Sequence, residues 1–503
     1  MPRLNSNPAP DHDIAIIGGG FSGLGIGIAL DRAGFGDFVI IEAGDGVGGA
    51  WHWNTYPGVA VDIPSFSYQF SYFQRSDWSR VYAPGNELKQ YADDCVERFD
   101  LRRRLRLNSR ITEARFDAQQ DVWHLATADG SSITARHIVS ATGILTQPKK
   151  PDIPGVESFA GITMHTARWD HGVDLRGKRV GLVGTGASAV QVIPSIAPTV
   201  AQLTVFQRTP IWCLPKPDAK MLAPMQSALR RVPGLQKGAR LLSQSFVEAT
   251  FPVAAHYASW LPMATVAEGI GKRFLRQQVR DPVVRDKLTP QYTLGCKRPS
   301  FSNEYLASFN RDNVTLETDG IAEITPTGVH TREGTEHPLD VLILATGFKV
   351  FEAGNAPPFP VHGRDGRELG DIWHNQRFRA YEGATMPGFP NYFTVLGPYA
   401  YNGSSYFTLI ENQARHIVRC LKAAKKRKAT RVEVTDAALE RFFAAMIKRR
   451  PRQIFFRGSC STANSYYFDA HGDVPFRPAT TLEAAWRSAT FPLSDYQFSS
   501  TGA

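Results

Sequence analysis

DIAIIGGGFSGLGIGIALDRAGFGDFVIIE, residues 13–42, is the stretch that decides the fold. Asp13 to Ile17 is a short apolar run of strand type, followed by Gly18-Gly19-Gly20-Phe21-Ser22-Gly23 and an Ala/Leu/Ile-rich helical pattern. Phe38 to Ile41 is a second strand that ends at Glu42, 19 residues after Gly23. Strand, G-x-G-x-x-G, helix, strand and acid in this order form a dinucleotide-binding unit. Gly18, Gly20 and Gly23 allow a tight turn and let the backbone approach a pyrophosphate at a helix N-terminus. Glu42 stands where a carboxylate can accept from a ribose 2′-hydroxyl.

The same unit recurs. Lys178 to Val183 is a strand, Gly184-Thr185-Gly186-Ala187-Ser188-Ala189 opens a helix, and the strand Leu203 to Phe206 ends in Gln207-Arg208-Thr209. No acid stands there. Its absence and the arginine point to a ribose 2′-phosphate, hence NADP rather than NAD. The first site suits FAD. Two such sites on one chain imply hydride transfer from NADPH to the flavin. No C-x-x-C is present to relay the electrons to a disulfide, so dioxygen is the natural acceptor.

Around these units the reading is α/β: two doubly wound, Rossmann-like domains with a helical insertion. A length of 503 residues suggests about three domains. Asn86 to Arg104 reads as a helix, and Ile111 to Phe116, Val122 to Thr127 and Ser132 to Ile138 as a β-meander, with Ile111 among the candidate cofactor contacts. Ala141-Thr142-Gly143 and the Pro148, Pro151, Pro154 linker mark a boundary, and a second A-T-G at 345–347 marks the return. The expected division is 1–148 and 351–503 for FAD, 149–211 and 291–350 for NADP, and 212–290 for a helical insertion over the active site. Helical patterns there cover Met221 to Arg231, Ala239 to Ala249 and Val266 to Gln278; a long helix follows from about Ser405 to Lys426.

Composition narrows the class. Hydrophobic residues at 43% and charged residues at 21% are ordinary for a globular enzyme. The formal charge of +10 could suit nucleic acid, but the basic runs Arg102–Arg104, Lys425–Lys428 and Lys448–Arg450 flank apolar residues at helical spacing and read as solvated helix faces. Five cysteines without a C-x-x-C pair argue against a disulfide framework or a metal site and fit a cytoplasmic setting. The N-terminal MPRLNSNPAPDHD has no apolar signal core. Phe251 to Ala267 is too short to span a membrane and reads as a buried or tunnel-lining segment.

Two further stretches carry a family resemblance. FAGITMHTARWD, 159–170, has Phe159, Gly161, His165 and Trp169 at a spacing that fits neither a helix face nor a strand, so it reads as a loop between the two nucleotide units. GDGVGGAWHWNTYPGVAVDIPS, 44–65, has Gly48, Gly49, Trp51, Tyr56, Pro57, Gly58 and Asp62. Both resemble fingerprints of type I Baeyer–Villiger monooxygenases, class B FAD/NADPH flavoproteins, as does Cys296-Lys297-Arg298-Pro299. The resemblance covers most of the chain. It implies insertion of one oxygen atom from O2 beside a ketone carbonyl, through a C4a-peroxyflavin and a Criegee-type intermediate, to give an ester or lactone. It implies that Arg298 is the catalytic cation, that Asp62 holds it, and that Arg208, Thr209 and Lys297 hold the NADP phosphate. By itself Asp62 reads equally as a turn or cap residue, and Arg298 as a loop salt bridge or a second phosphate contact. His165 is either a residue that couples the domains or a structural histidine. Gly49 and Trp51 would face the flavin. Heteroatom-oxidising flavin monooxygenases, a peroxide-leaking NADPH oxidase and an inert NADP-sensing protein remain alternatives.

Overall fold

A computed structural model describes residues 9–260 and 263–500. Residues 1–8 of the N-terminal segment, and 261–262 within the Phe251–Ala267 stretch, lie outside the described residues. Two parallel sheets organise the rest. In the first, His12–Ile17 lies between Phe38–Ile41 and the C-terminal half of Ser132–Ser140, parallel to both. Tyr392–Thr394 extends it on one side and Leu105–Arg106 on the other. The N-terminal half of Ser132–Ser140 turns away into an antiparallel meander with Val122–Thr127 and Ile111–Asp117. The second sheet has the order Val314–Glu317, Gln202–Phe206, Arg179–Val183, Val341–Leu344, Ile162–His165, all parallel. Central strands such as Val341–Leu344 are buried along their whole length. Helices cover both faces of a parallel sheet, so its strands read as unbroken apolar runs.

The chain crosses between the sheets twice, and the crossings pair. Lys149 N–H donates to Gly347 O at 2.9 Å, and Lys349 N–H to Gln147 O at 3.0 Å. The helix Tyr406–Arg427 returns to pack on Phe21–Arg32. A Cβ on Gly25 would stand 2.6 Å from Ile410 Cγ2, so glycine sets that close approach.

Several expectations need correction. The segment 159–170 is not wholly a loop: Ile162–His165 is an edge strand of the second sheet. Its main chain is satisfied by Val341–Leu344, and an edge strand with one buried side chain, Met164, leaves no alternation to read. The helix expected over Asn86 to Arg104 is Gly85–Arg98 followed by a short turn, Arg102–Arg104, because Asp100 at φ 49° breaks it. The insertion comprises Ala223–Arg231, Leu235–Glu248, the wide turn Ala249–Val253, Ala254–His256, Met263–Gln278 and Pro282–Lys287. The 251–267 stretch is only partly buried: His256 is enclosed, whereas Trp260 and Val266 are exposed. No helix among the described residues is long and apolar enough to cross a membrane. Cys296 and Cys460 form a disulfide with Cα atoms 5.1 Å apart, against the expectation of no disulfide; an odd count leaves room for a pair.

Candidate active site

Each parallel sheet ends in a glycine cradle, and the two cradles are built alike. Gly18 has φ +113° and Gly184 φ +112°. A Cβ on Gly18 would meet Ala141 O at 2.6 Å, and one on Gly184 would meet Ala345 O at the same distance, so each first glycine packs against one of the two A-T-G turns. Gly23 closes the first turn from behind, where a Cβ would stand 1.8 Å from Gly18 O. The second glycines differ in kind. Gly20 has only Gly49 nearby, with its Cα 3.4 Å from a built Cβ, and Gly186 has nothing within 4 Å. Open space above a glycine at a helix N-terminus is what a pyrophosphate requires, and the residues present fit a dinucleotide at each site.

Glu42 is buried, and its carboxylate accepts from Gly19 N–H at 2.6 Å and Gly44 N–H at 2.7 Å. It therefore also holds the turn itself. Ile111 lies in the apolar core beside this corner, two residues beyond Ser109, whose N–H donates to Glu42 O. Trp51 Nε1 donates to Tyr68 Oη at 3.2 Å. Tyr56 Oη donates to Gln191 Oε1 at 3.0 Å, which ties the 44–65 loop to the helix Ala187–Ile196 of the second unit.

That loop delivers Asp62 to Arg298, 236 residues later. Arg298 Nε donates to Asp62 Oδ2 and Nη2 to Oδ1, each at 2.7 Å, a two-pronged pair. The third nitrogen, Nη1, donates to Tyr401 Oη at 3.1 Å. Burial works against the guanidinium charge, but the Asp62 carboxylate beside it outweighs this and holds the pKa well above its usual value. Burial also pushes the Tyr466 hydroxyl up to about 12 and raises those of Tyr401 and Tyr467, so the ring of phenols around the cation is neutral. The arrangement is a permanent positive charge fixed on two sides, with 26% of its side chain open. The Cys296–Cys460 disulfide ties the residue just before Lys297 to the tail that carries Tyr466 and Tyr467.

Tyr401 was not legible in the sequence, because no motif marks it; the only signal is a dense run of tyrosines, 399, 401 and 406, leading into a helix. A hydrogen bond to a charged group contributes about 1.5 kcal/mol or more, so Tyr401→Phe should cut product formation by about tenfold. Flavin content and NADPH consumption should be unchanged, with the shortfall appearing as peroxide. Unchanged product yield would show that Asp62 alone positions Arg298.

Lys297 and Arg208 lie within electrostatic reach of one another, and Arg208 follows the strand Gln202–Phe206 of the second sheet. Burial, then the Arg208 charge, push the Lys297 ammonium down to about 8. Neither cation has an acidic partner among the described residues, which leaves two positive groups facing one another: a place for an anion. Thr209 O accepts from Thr185 Oγ1 at 2.9 Å and joins this corner to the glycine turn. His165 ends its strand at the paired crossings. Its Nδ1 accepts from Ala167 N–H at 3.0 Å, so Nε2 carries the proton toward Thr346 Oγ1, 3.3 Å away in the second A-T-G. Burial, reinforced by Arg168, lowers its pKa to about 4, so the ring is neutral near pH 7. The structure thus gathers Asp62 and Arg298 at one point, Arg208 and Lys297 at a second, and sets His165 apart on the linkers. Among the described residues no cluster could hold a metal ion.

The chain was compared with known proteins. The family described as pyridine nucleotide-disulphide oxidoreductase matches residues 15–232, which span both cradles. A Baeyer-Villiger monooxygenase of Pseudomonas aeruginosa is 38% identical over 450 residues, covering 89% of this chain and 84% of the relative. One of Streptomyces coelicolor is 36% identical over 487 residues, covering 96% and 92%. Among solved structures, a complex of OTEMO with FAD and NADP superposes with a TM-score of 0.86 at 28% identity, over 98% of this chain and all of the other.

Proposed function

The chain belongs to the Baeyer–Villiger monooxygenases, and from that premise we propose that Arg298, held by Asp62 and Tyr401, is the cation on which its chemistry depends. The protein is an FAD-containing, NADPH-dependent monooxygenase that inserts one oxygen atom beside a ketone carbonyl to give an ester or lactone. Bound FAD, reduced by NADPH, supplies the means of activating dioxygen. The chain's own part is electrostatic. Negative charge must persist in the pocket and then develop on the ketone oxygen, and a fixed, preorganised cation stabilises both far better than water does. Arginine suits this task because, with a pKa above about 12, it does not give up its proton to the oxygen it stabilises.

The observation that carries the reading is the two-pronged Asp62–Arg298 pair, which joins the flavin-side loop to the segment beside the second cradle. We also propose the assignment of 1–148 with 351–503 to FAD, of 149–211 with 291–350 to NADP and of 212–290 to the insertion. His165, neutral and bonded to the returning linker, is proposed to couple nucleotide occupancy to the linkers. A panel of ketones, sulfides and tertiary amines incubated with NADPH and air tests the reaction. Esters or lactones are expected; oxygenation of sulfides and amines alone would favour the heteroatom-oxidising alternative, which the relatives do not favour.

Two predictions concern NADPH. Arg208→Ala should weaken NADPH by about 10- to 100-fold, since a charge-assisted contact contributes about 1.5–3 kcal/mol. The Michaelis constant for NADH should barely move; equal effects on both would remove the phosphate role. Lys297 is charged below about pH 8 and loses its proton above it. The ratio of kcat/KM for NADPH to that for NADH should therefore fall as pH rises through this range, and Lys297→Arg should flatten the profile. A wild-type ratio independent of pH would place Lys297 away from the phosphate.

A further inference from the structure

The helical insertion leaves a large part of its apolar side chains exposed. In Leu235–Glu248 the side facing the protein buries Val247 among polar contacts: Arg240 Nη1 donates to Gln69 O at 2.6 Å, Ser243 Oγ to Ser67 Oγ at 2.8 Å, and Gln244 Nε2 to Ser404 Oγ at 2.7 Å. The outward side carries Leu235, Leu242 and Phe246, seven and then four residues apart and so on one stripe. Leu242 is 75% exposed. The helix Met263–Gln278 buries Leu275 on its inner side but leaves Met263, Val266 and Ile270 exposed, and Trp260 stands exposed just before it. Thr481 N–H donates to Glu248 Oε1 at 2.9 Å, which brings exposed Leu482 and Trp486 to the end of the first helix. An amphipathic helix normally buries its apolar stripe, so two successive long helices of one insertion that leave apolar stripes exposed mark a surface with an occupant.

Charge identifies the occupant. Within 222–278, Arg230, Arg231, Lys237, Lys272, Arg273 and Arg276 are all exposed. The acids of that stretch, Glu248 and Glu268, are both partly buried and accept from Thr481 N–H and Leu294 N–H. Within 222–278 the ionised groups at full exposure are therefore all positive. A second copy docking through the same face would set cations against cations. We propose that this face docks on an anionic lipid surface, with the leucines, Phe246 and Val266 at the acyl boundary, the exposed tryptophans at its edge and the cations among the headgroups. Docking of this kind lies along the surface and needs no spanning helix.

The test is co-sedimentation of the full-length, flavin-loaded protein with vesicles of phosphatidylglycerol and phosphatidylcholine in equal parts, against pure phosphatidylcholine. The protein should pellet with the anionic vesicles, bind the neutral ones far less, and be released by salt. Leu242→Glu combined with Val266→Glu places carboxylates on the stripe and should lower the bound fraction by about tenfold or more. Visible flavin absorbance would show that the variant still folds. Failure of the wild-type protein to pellet with anionic vesicles would overturn the proposal, as would equal binding by the variant. A concentration-dependent dimer in light scattering that the double variant abolishes would also overturn it and give the face to a second copy.

Discussion

Arg298→Ala is expected to give an enzyme that stays yellow, still oxidises NADPH, forms almost no ester and releases hydrogen peroxide instead. The expected loss of product is about 10²- to 10³-fold, the range for removing one preorganised charge-stabilising group from an active site. Separation of the two activities follows from position. The glycine cradles and the Arg208–Lys297 corner do not depend on the guanidinium, so both nucleotides should bind. What is lost is the fixed cation that Asp62 and Tyr401 hold. The variant leaves Asp62 without its main partner, at a site with 32% of that side chain open, where water can replace some of the lost bonding. Arg298→Lys separates charge from geometry. It keeps a cation but cannot bond both oxygens of Asp62 and Tyr401 at once, so it should recover only part of the product. Ester formation by Arg298→Ala within a few-fold of wild type would remove this residue from the chemistry.

Gly20→Val should yield colourless protein with its fold intact. Within the chain a Cβ at Gly20 meets only the Gly49 Cα at 3.4 Å, an ordinary contact, so the polypeptide has room for a side chain there. The space it would fill is the open side of the cradle, where the pyrophosphate needs the backbone bare. Gly23 is no substitute for this test, since a Cβ there would collide with Gly18 O at 1.8 Å and disturb the turn itself. The informative control is Gly186→Val, at the matching position of the second cradle, which should keep the flavin and lose NADPH binding. A Gly20→Val protein with its full flavin spectrum would refute the assignment of the first cradle.

What the sequence disclosed followed the range of each interaction. The strand, glycine turn and helix of 13–42 and of 178–206 are local patterns, and both appear where their spacing puts them. The chemistry of Asp62 and Arg298 was legible only through family resemblance, because residues 236 apart leave no periodic trace of their meeting. Tyr401 and the Cys296–Cys460 disulfide are long-range contacts of the same kind without a motif. The basic run Lys448–Arg450 reads as a helix face from its spacing, and it closes the helix Asp436–Arg449, whereas Thr481–Thr490 carries no motif that marks it. The insertion reads as helical from its sequence, yet periodicity says only that a helix has two sides. It does not say which side faces the protein, and in Leu235–Glu248 Arg240, Ser243 and Gln244 face it beside Val247 while Leu242 and Phe246 do not.

The central claim is that one atom of dioxygen ends up beside a ketone carbonyl. Incubating the protein with NADPH and a ketone under isotopically heavy dioxygen tests it most directly, with the product analysed by mass. The account predicts an ester or lactone carrying one heavy oxygen atom in the newly formed C–O–C linkage, with the carbonyl oxygen unlabelled. Recovery of unchanged ketone across a broad panel, with all consumed NADPH appearing as labelled peroxide, would contradict it.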